Sequence, residues 1–143
     1  MRKILIGIVV LAACGSKGDG KSGKGGVVEA RVELKRLSDM AMRDYVKNND
    51  IYPPIDVGPT PAKPCCSQPD HVCKPDPADW SGDWSQLPFE MVQPFKFQYS
   101  YKGTGQGFTA TAVGDPDCDG HTITITATGT APIGNPAVTF TEQ

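Results

Sequence analysis

Proline is concentrated in one part of this chain: ten of its thirteen prolines lie between Pro53 and Pro94. A proline ring fixes φ and removes a backbone N–H donor, so neither a helix interior nor a central strand tolerates this density. The sequence therefore predicts an extended, irregular segment here. Trp84, Leu87 and Phe89 are spaced to reach a core from this segment, and Trp80 is a further candidate.

A helical pattern precedes the proline-rich segment and runs from Val27 to about Asn48. Apolar residues recur at three- and four-residue steps on one face, while charged residues mostly fill the other. One apolar stripe predicts that one side of the helix packs on another element. The residues expected on that side are Val27, Ala30, Leu34, Leu37, Ala41 and Tyr45, with Met40 beside them.

Alternating apolar and polar residues after the proline-rich segment predict strands at Phe95–Tyr101, Phe108–Val113 and Thr122–Thr128. Val138–Thr141 is a candidate for a short edge strand. Glycine- and aspartate-rich turns separate the strands. The fold class expected is α+β, with one long N-terminal helix packed on a three- to four-stranded antiparallel sheet and a proline-rich insert.

The first residues have the layout of an export signal. Arg2 and Lys3 precede a short apolar run. This run is shorter than the roughly 20 residues that a membrane-spanning helix needs. Leu11-Ala12-Ala13-Cys14 then resembles the lipobox of bacterial lipoproteins, whose signal is cut before the cysteine and whose cysteine receives acyl chains such as palmitate. The resemblance implies a signal peptide at 1–13 and lipidation of Cys14. Because Gly15 rather than Asp follows the cysteine, the resemblance also implies that the protein is anchored in the outer membrane and faces the periplasm or the surface. The alternative is a simple cleaved signal with a chance cysteine.

Residues 14–26 are expected to form a lipidated, flexible linker before a globular domain at 27–143, because they are almost all Gly, Lys and Ser. Gly15–Ser22 matches the phosphate-loop pattern, but that loop works only between a buried strand and a helix, so no nucleotide is expected. The formal net charge is −2 and no basic patch is present, so nucleic acid is not expected as a partner.

Four cysteines remain besides the one in the lipobox: Cys65, Cys66, Cys73 and Cys118. An even number in an exported chain indicates two disulfide bonds, which would staple the proline-rich insert. A Cys65–Cys66 bond would bring its α-carbons closer than usual. We therefore expect one of this pair to bond Cys73 and the other to bond Cys118. The rival interpretation is a zinc site formed by the first three cysteines and His71.

The turn before the last predicted strand is acidic. Asp115, Asp117, Asp119 and Gly120 match the opening D-x-D-x-D-G of a calcium loop. The twelfth position should be a bidentate Glu but is Thr126, so the turn would supply half of a calcium site at most. The alternative is an ordinary acidic turn. The acids considered for the other half are Asp76, Asp79 and Glu90.

A catalytic site is not indicated. No serine lies in a G-x-S-x-G motif, and the chain has only two histidines, His71 and His121, both beside turn residues. We therefore expect a protein that is not an enzyme.

Several short motifs occur in a characteristic order: Glu29-Ala30-x-x-x-Leu34-x-x-Leu37, Ile51-Tyr52-Pro53, Trp84-x-x-Leu87-x-Phe89, Phe97–Tyr101, Phe108–Ala112 and Gly114–Gly120. This order resembles that of type IV pilins and pseudopilins. The resemblance implies a pilin-like head and partners among type IV pilus or type II secretion components. The long apolar half-helix of pilins is absent, so a structural or interaction protein is expected rather than a filament subunit. The alternatives are an unrelated lipoprotein of similar architecture and a calcium-assisted ligand-binding or adhesion lipoprotein.

Overall fold

In the computed structural model, which describes residues 22–130 and 137–143, one helix lies on a five-stranded antiparallel sheet. Each strand pairs with its neighbour in sequence, in the order β1-β2-β3-β4-β5. The predicted α+β class is therefore confirmed. The elements are α1 (Ser22–Lys47), β1 (Asp56–Thr60), β2 (Gln98–Gly103), β3 (Gly107–Gly114), β4 (Ile123–Thr130) and β5 (Ala137–Glu142).

The prediction of three to four strands was wrong, because β1 lies inside the proline-rich segment. β1 stands at one edge of the described sheet and pairs with β2. Its register shifts between Val57 and Thr60, and Pro59 lies within this irregularity. An edge strand with such a break tolerates a residue without an N–H donor, whereas a central strand does not.

The helix α1 begins at Ser22 rather than at Val27, so residues 22–26 are helical although they were expected in the linker. Gly26 is buried, and a Cβ atom on it would lie 2.5 Å from Cβ of Pro116 and 3.4 Å from the Phe97 ring. This close approach of the backbone packs the first turns of the helix against the loop after β3. Such packing offsets the low helix propensity of glycine.

The predicted buried side of α1 is confirmed, with Ala30, Leu34, Leu37 and Ala41 fully buried and Val27 and Met40 partly buried at its margin. The helix packs over β3 and β4. Alternate residues of the strands face it, as the period of two requires. The sheet residues buried there include Phe97, Tyr99, Tyr101, Phe108, Ala110, Ala112, Ile125 and Ala127.

The chain between β1 and β2 is compacted around aromatic side chains. Trp80, Trp84, Leu87 and Phe89 are all buried, which confirms the predicted core contacts of this segment. The Trp80 ring lies 5.2 Å from that of Trp84 and 5.4 Å from that of Phe89. The guanidinium of Arg36 on α1 lies 4.4 Å above the Phe89 ring. The segment contains four short 3₁₀ turns, at Cys65–Ser67, Pro69–His71, Pro77–Trp80 and Gly82–Gln86.

Candidate functional site

The predicted lipidation residue, Cys14, lies outside the described residues, as do the predicted signal peptide at 1–13 and most of the linker. The other predicted site residues are all described. They lie at the end of the sheet where the proline-rich segment meets the turn between β3 and β4.

Two disulfide bonds hold this end of the molecule. Cys65 is bonded to Cys73, and Cys66 is bonded to Cys118. The pairing is one of the two arrangements that the sequence left open. The first bond is local, and Cys73 also forms an antiparallel bridge with Phe95. The second joins the insert to the β3–β4 turn across 52 residues, which corresponds to about 4 kcal/mol in the chain-entropy description of cross-links.

The zinc alternative does not fit this geometry. Zinc binds thiolates, and the sulfurs of Cys65, Cys66 and Cys73 are all in disulfide bonds. The fourth expected ligand, His71, has its Nδ1 2.9 Å from the carbonyl oxygen of Cys66. A protonated Nδ1 donates a hydrogen bond at this position, so the ring supports the local turn.

The acidic turn brings Asp115, Asp117 and Asp119 together, with one carboxylate oxygen of each within 4.8 Å of the others. Among the described residues this is the group whose side chains are spaced for a metal ion. The acids considered for the other half of a site do not join it. In particular, Asp76 accepts the N–H of Ala78 at 2.9 Å and caps a 3₁₀ turn.

The carboxylate of Asp115 is bonded to the backbone of its own turn. The N–H of Gly120 donates to Oδ2 at 2.8 Å, and the N–H of Asp119 donates to Oδ1 at 3.2 Å. Asp119 in turn accepts the N–H of His121 at 2.8 Å. Desolvation disfavours the charged form of Asp115, but these hydrogen bonds outweigh it and lower its pKa. A cation at this position would compete with two N–H donors.

A second apolar stripe lies on the side of α1 that faces away from the sheet. Val28, Val32 and Val46 are 61%, 58% and 73% exposed, and they are three of the six large exposed hydrophobic residues of the described chain. Lys35 and Asp39 lie between the two apolar ends and form an ion pair at 2.7 Å. We call this set the outer stripe; its members are Val28, Val32, Lys35, Asp39, Met42 and Val46.

The outer stripe was missed in the sequence because a single apolar stripe was assigned to the helix. Its signal was two apolar pairs with a four-residue step, Val28 with Val32 and Met42 with Val46, which stay in one three- and four-residue register across Lys35 and Asp39. A surface depression of about 830 Å³ follows this face. The described residues that line it all belong to α1: Val32, Lys35, Arg36, Asp39, Met42, Arg43, Val46 and Lys47.

Comparison with protein-family models, curated proteins and solved structures gives no match to this chain. Within the described residues, no helix combines the length and the apolar character that a membrane crossing requires. Three features of the chain bear on its function: the lipobox-like sequence, the disulfide-linked end with its acidic turn, and the outer stripe.

Proposed function

We propose that this chain is a lipid-anchored, non-enzymatic structural or interaction protein of the cell envelope, with a pilin- or pseudopilin-like head held at the outer membrane through Cys14. The observation that carries the proposal is the sequence Leu11-Ala12-Ala13-Cys14 after a basic start and a short apolar run. Several acyl chains on one residue, at about 0.8 kcal/mol for each buried methylene, make a lasting anchor.

The disulfide bonds support export. All four cysteines of the described chain are paired, in two bonds. Disulfides persist in the periplasm and outside the cell but are rare in the cytosol, where thiols are kept reduced. The pairing and the lipobox are independent features of the sequence, and both favour the same compartment.

The architecture supports an interaction role for the head. A long helix packed by one face on an antiparallel sheet agrees with the arrangement that the pilin-like motifs imply. The helix begins at Ser22, so only residues 15–21 separate it from the proposed anchor. A seven-residue segment spans at most about 25 Å even when fully extended. The head would therefore be held close to the membrane, where envelope partners can be reached.

Cell fractionation with two substitutions tests the anchor. We expect the wild-type chain in the outer-membrane fraction and the Cys14→Ser chain, which has no acceptor thiol, unprocessed or in the soluble fraction. The matched control is Gly15→Asp, which keeps the thiol and is expected to move the protein to the inner membrane. Wild-type protein in the soluble fraction would refute the lipid anchor.

Affinity capture tests the partner class. The acylated protein, extracted in mild detergent and cross-linked beforehand in cells, is expected to retain type IV pilus or type II secretion subunits. The Cys14→Ser chain is the control, because it carries the same head without the anchor. If repeated captures return neither class, the pilin-like part of the proposal fails while the anchor stands.

A calcium-assisted ligand-binding or adhesion lipoprotein is the second candidate, and the closeness of the three aspartates in the β3–β4 turn favours it. The backbone bonds to Asp115 weigh against it. Calorimetric titration with calcium, with Asp117→Asn as the control variant, separates the possibilities. Heat of binding that the variant loses would support calcium, and no heat in the wild-type chain would exclude it.

A further inference from the structure

We propose that the outer stripe of α1 is a self-association surface, on which the α1 helix of a second copy of this chain packs in the antiparallel direction. The surface lies on the exposed side of one described helix and does not depend on the pilin-like resemblance, while the cross-linking assay below also uses the proposed lipid anchor, which cell fractionation tests separately.

The spacing of the outer stripe is that of a helix–helix seam. Its six members follow one another at steps of four, three, four, three and four residues, which are the a and d positions of a coiled coil. With about 100° between successive residues, the centre of the stripe points about 140° away from the centre of the buried side. The helix therefore uses one face for the sheet and offers another to solvent.

The composition of the stripe is complementary to itself when a second copy runs antiparallel. With Val28 opposite Val46 of the other copy, Val32 falls opposite Met42 and Lys35 opposite Asp39. Every apolar residue then meets an apolar residue, and each cation meets an anion. The same contacts repeat on both sides of a two-fold axis, as a symmetric dimer requires.

A parallel pair is disfavoured by the same residues. It would place Lys35 against Lys35 and Asp39 against Asp39 at the centre of the seam, and like charges at close range are destabilising. Within one chain the Lys35–Asp39 pair has side chains 67% and 50% exposed, and such a surface pair contributes little to stability. Charge complementarity therefore favours the antiparallel direction.

Of the cations that flank the stripe, Arg31 and Arg36 are paired within their own chain, whereas Arg43 and Lys47 form no ion pair among the described residues. Arg31 forms an ion pair with Glu142 of β5. Arg36 forms an ion pair with Glu33 at 2.7 Å and donates to the carbonyl oxygen of Glu90. These two side chains are held toward the body of the molecule. A membrane surface is best matched by an uninterrupted apolar face, and the apolar residues of this face are interrupted at its centre by the Lys35–Asp39 pair.

The interface would be small. Residues 28–46 extend over about 27 Å of helix, so the contact belongs to the weak, transient class rather than to obligate dimers. Two copies attached to one membrane would meet at a much higher effective concentration than in free solution. Cross-linking of the full chain in cells is therefore the suitable assay.

Engineered cysteine pairs test the register. In chains carrying Val32→Cys and Met42→Cys, each new cysteine faces its complement in the other copy, so a dimer that reducing agent dissolves is expected on gels. The matched control carries Val32→Cys and Val46→Cys, which lie four residues out of register. We expect at least about five-fold less dimer from the control, because a disulfide needs α-carbons within about 7 Å.

Charge exchange in the Val32→Cys, Met42→Cys chain tests the pairing of Lys35 with Asp39 across the seam. Asp39→Lys places four cations at the centre of the seam and is expected to reduce the cross-linked dimer at least about five-fold. Exchanging both charges, Lys35→Asp with Asp39→Lys, should restore it. An unchanged melting temperature in all variants shows that the fold is intact, because both side chains are exposed.

Three outcomes would overturn the proposal. The first is no dimer from the Val32, Met42 cysteine pair in correctly folded protein. The second is equal dimer from the in-register and out-of-register pairs, which would indicate random collision or a parallel pair. The third is a monomer whose binding to vesicles of anionic phospholipid is lost in the Val46→Asp variant, which would assign the stripe to lipid.

Discussion

Two acidic residues of this chain have pKa values displaced in opposite directions. Glu29 is half-buried on α1, and its Oε1 accepts the N–H of Lys96 at 3.0 Å. Burial raises its pKa from 4.5, and the hydrogen bond from Lys96 opposes the shift without cancelling it. Asp115 has a lowered pKa, because the N–H donors of its turn outweigh its desolvation. The two residues therefore give opposite pH dependence.

Replacing Glu29 by Gln should leave the free energy of unfolding at pH 7 unchanged or raise it by up to about 1 kcal/mol. The amide keeps an acceptor for the Lys96 N–H and removes the charge that burial disfavours. The pKa of Glu29 is raised in the folded state, so the wild-type protein becomes more stable as the pH falls through that pKa toward the ordinary value of 4.5. The difference in free energy of unfolding between the Gln variant and the wild-type protein should therefore shrink at pH 4. Urea unfolding at both pH values measures it. A Gln variant that is less stable than the wild-type protein, and by a larger margin at pH 7 than at pH 4, would contradict this account.

Replacing Asp115 by Ala should lower the melting temperature at pH 7, because two backbone N–H groups lose their acceptor. The stabilisation from a lowered pKa is present above the unfolded value of 3.8 and is lost as the pH falls through the folded value. Wild type and variant should therefore converge in acid. Asp117→Ala is the control and should have a smaller effect. Equal effects of the two substitutions at pH 7, or a loss of stability seen only when calcium is present, would favour a metal site over a turn.

Among the elements, those with regular spacing could be predicted from the sequence. The buried side of α1 and the alternation of β2, β3 and β4 follow from periods of 3.6 and two residues. In contrast, β1 was not predicted, because it lies in a proline-rich segment without an alternating apolar pattern. Pro59 is tolerated in β1 because this strand is at the edge of the sheet. The start of α1 was hidden because glycine has low helix propensity. Its helical state depends on packing against Pro116, which is 90 residues from Gly26 in sequence.

The candidate site was predicted in part for a similar reason. Counting cysteines narrowed the disulfide pairing to two arrangements, but the choice between them depends on how the insert meets the β3–β4 turn. The outer stripe was visible in the spacing of Val28, Val32, Met42 and Val46. It was missed because a face that contains charges is usually solvated.

Two adjacent helical glycines test the beginning of α1. No atom lies within 4 Å of where a Cβ of Gly25 would be, whereas a Cβ on Gly26 would be 2.5 Å from Pro116. We expect Gly25→Ala to raise the free energy of unfolding by about 0.5–1 kcal/mol, through helix propensity. Gly26→Ala should lower it by about 1–3 kcal/mol, as overpacking does. Denaturant unfolding measures both, and equal effects would contradict a helix packed at this point.

At the scale of the whole molecule, the two disulfides differ in what they constrain. The Cys66–Cys118 bond closes 52 residues, and the Cys65–Cys73 bond closes 8. In the chain-entropy description, removing the first by paired Ala substitutions should cost about 4 kcal/mol, and removing the second about 2.5 kcal/mol. Denaturant titration of the two double variants gives the comparison. Greater damage from the loss of the short cross-link would show that local strain or residual structure dominates instead.

Intact-mass spectrometry of protein extracted from membranes tests most directly whether this chain is a cross-linked head that is attached by lipid outside the cytosol. The account predicts a chain that begins at Cys14, carries acyl chains, and gains the mass of four hydrogens on reduction of its two disulfides. A chain that keeps Met1, has no added lipid and shows no change in mass on reduction would contradict it.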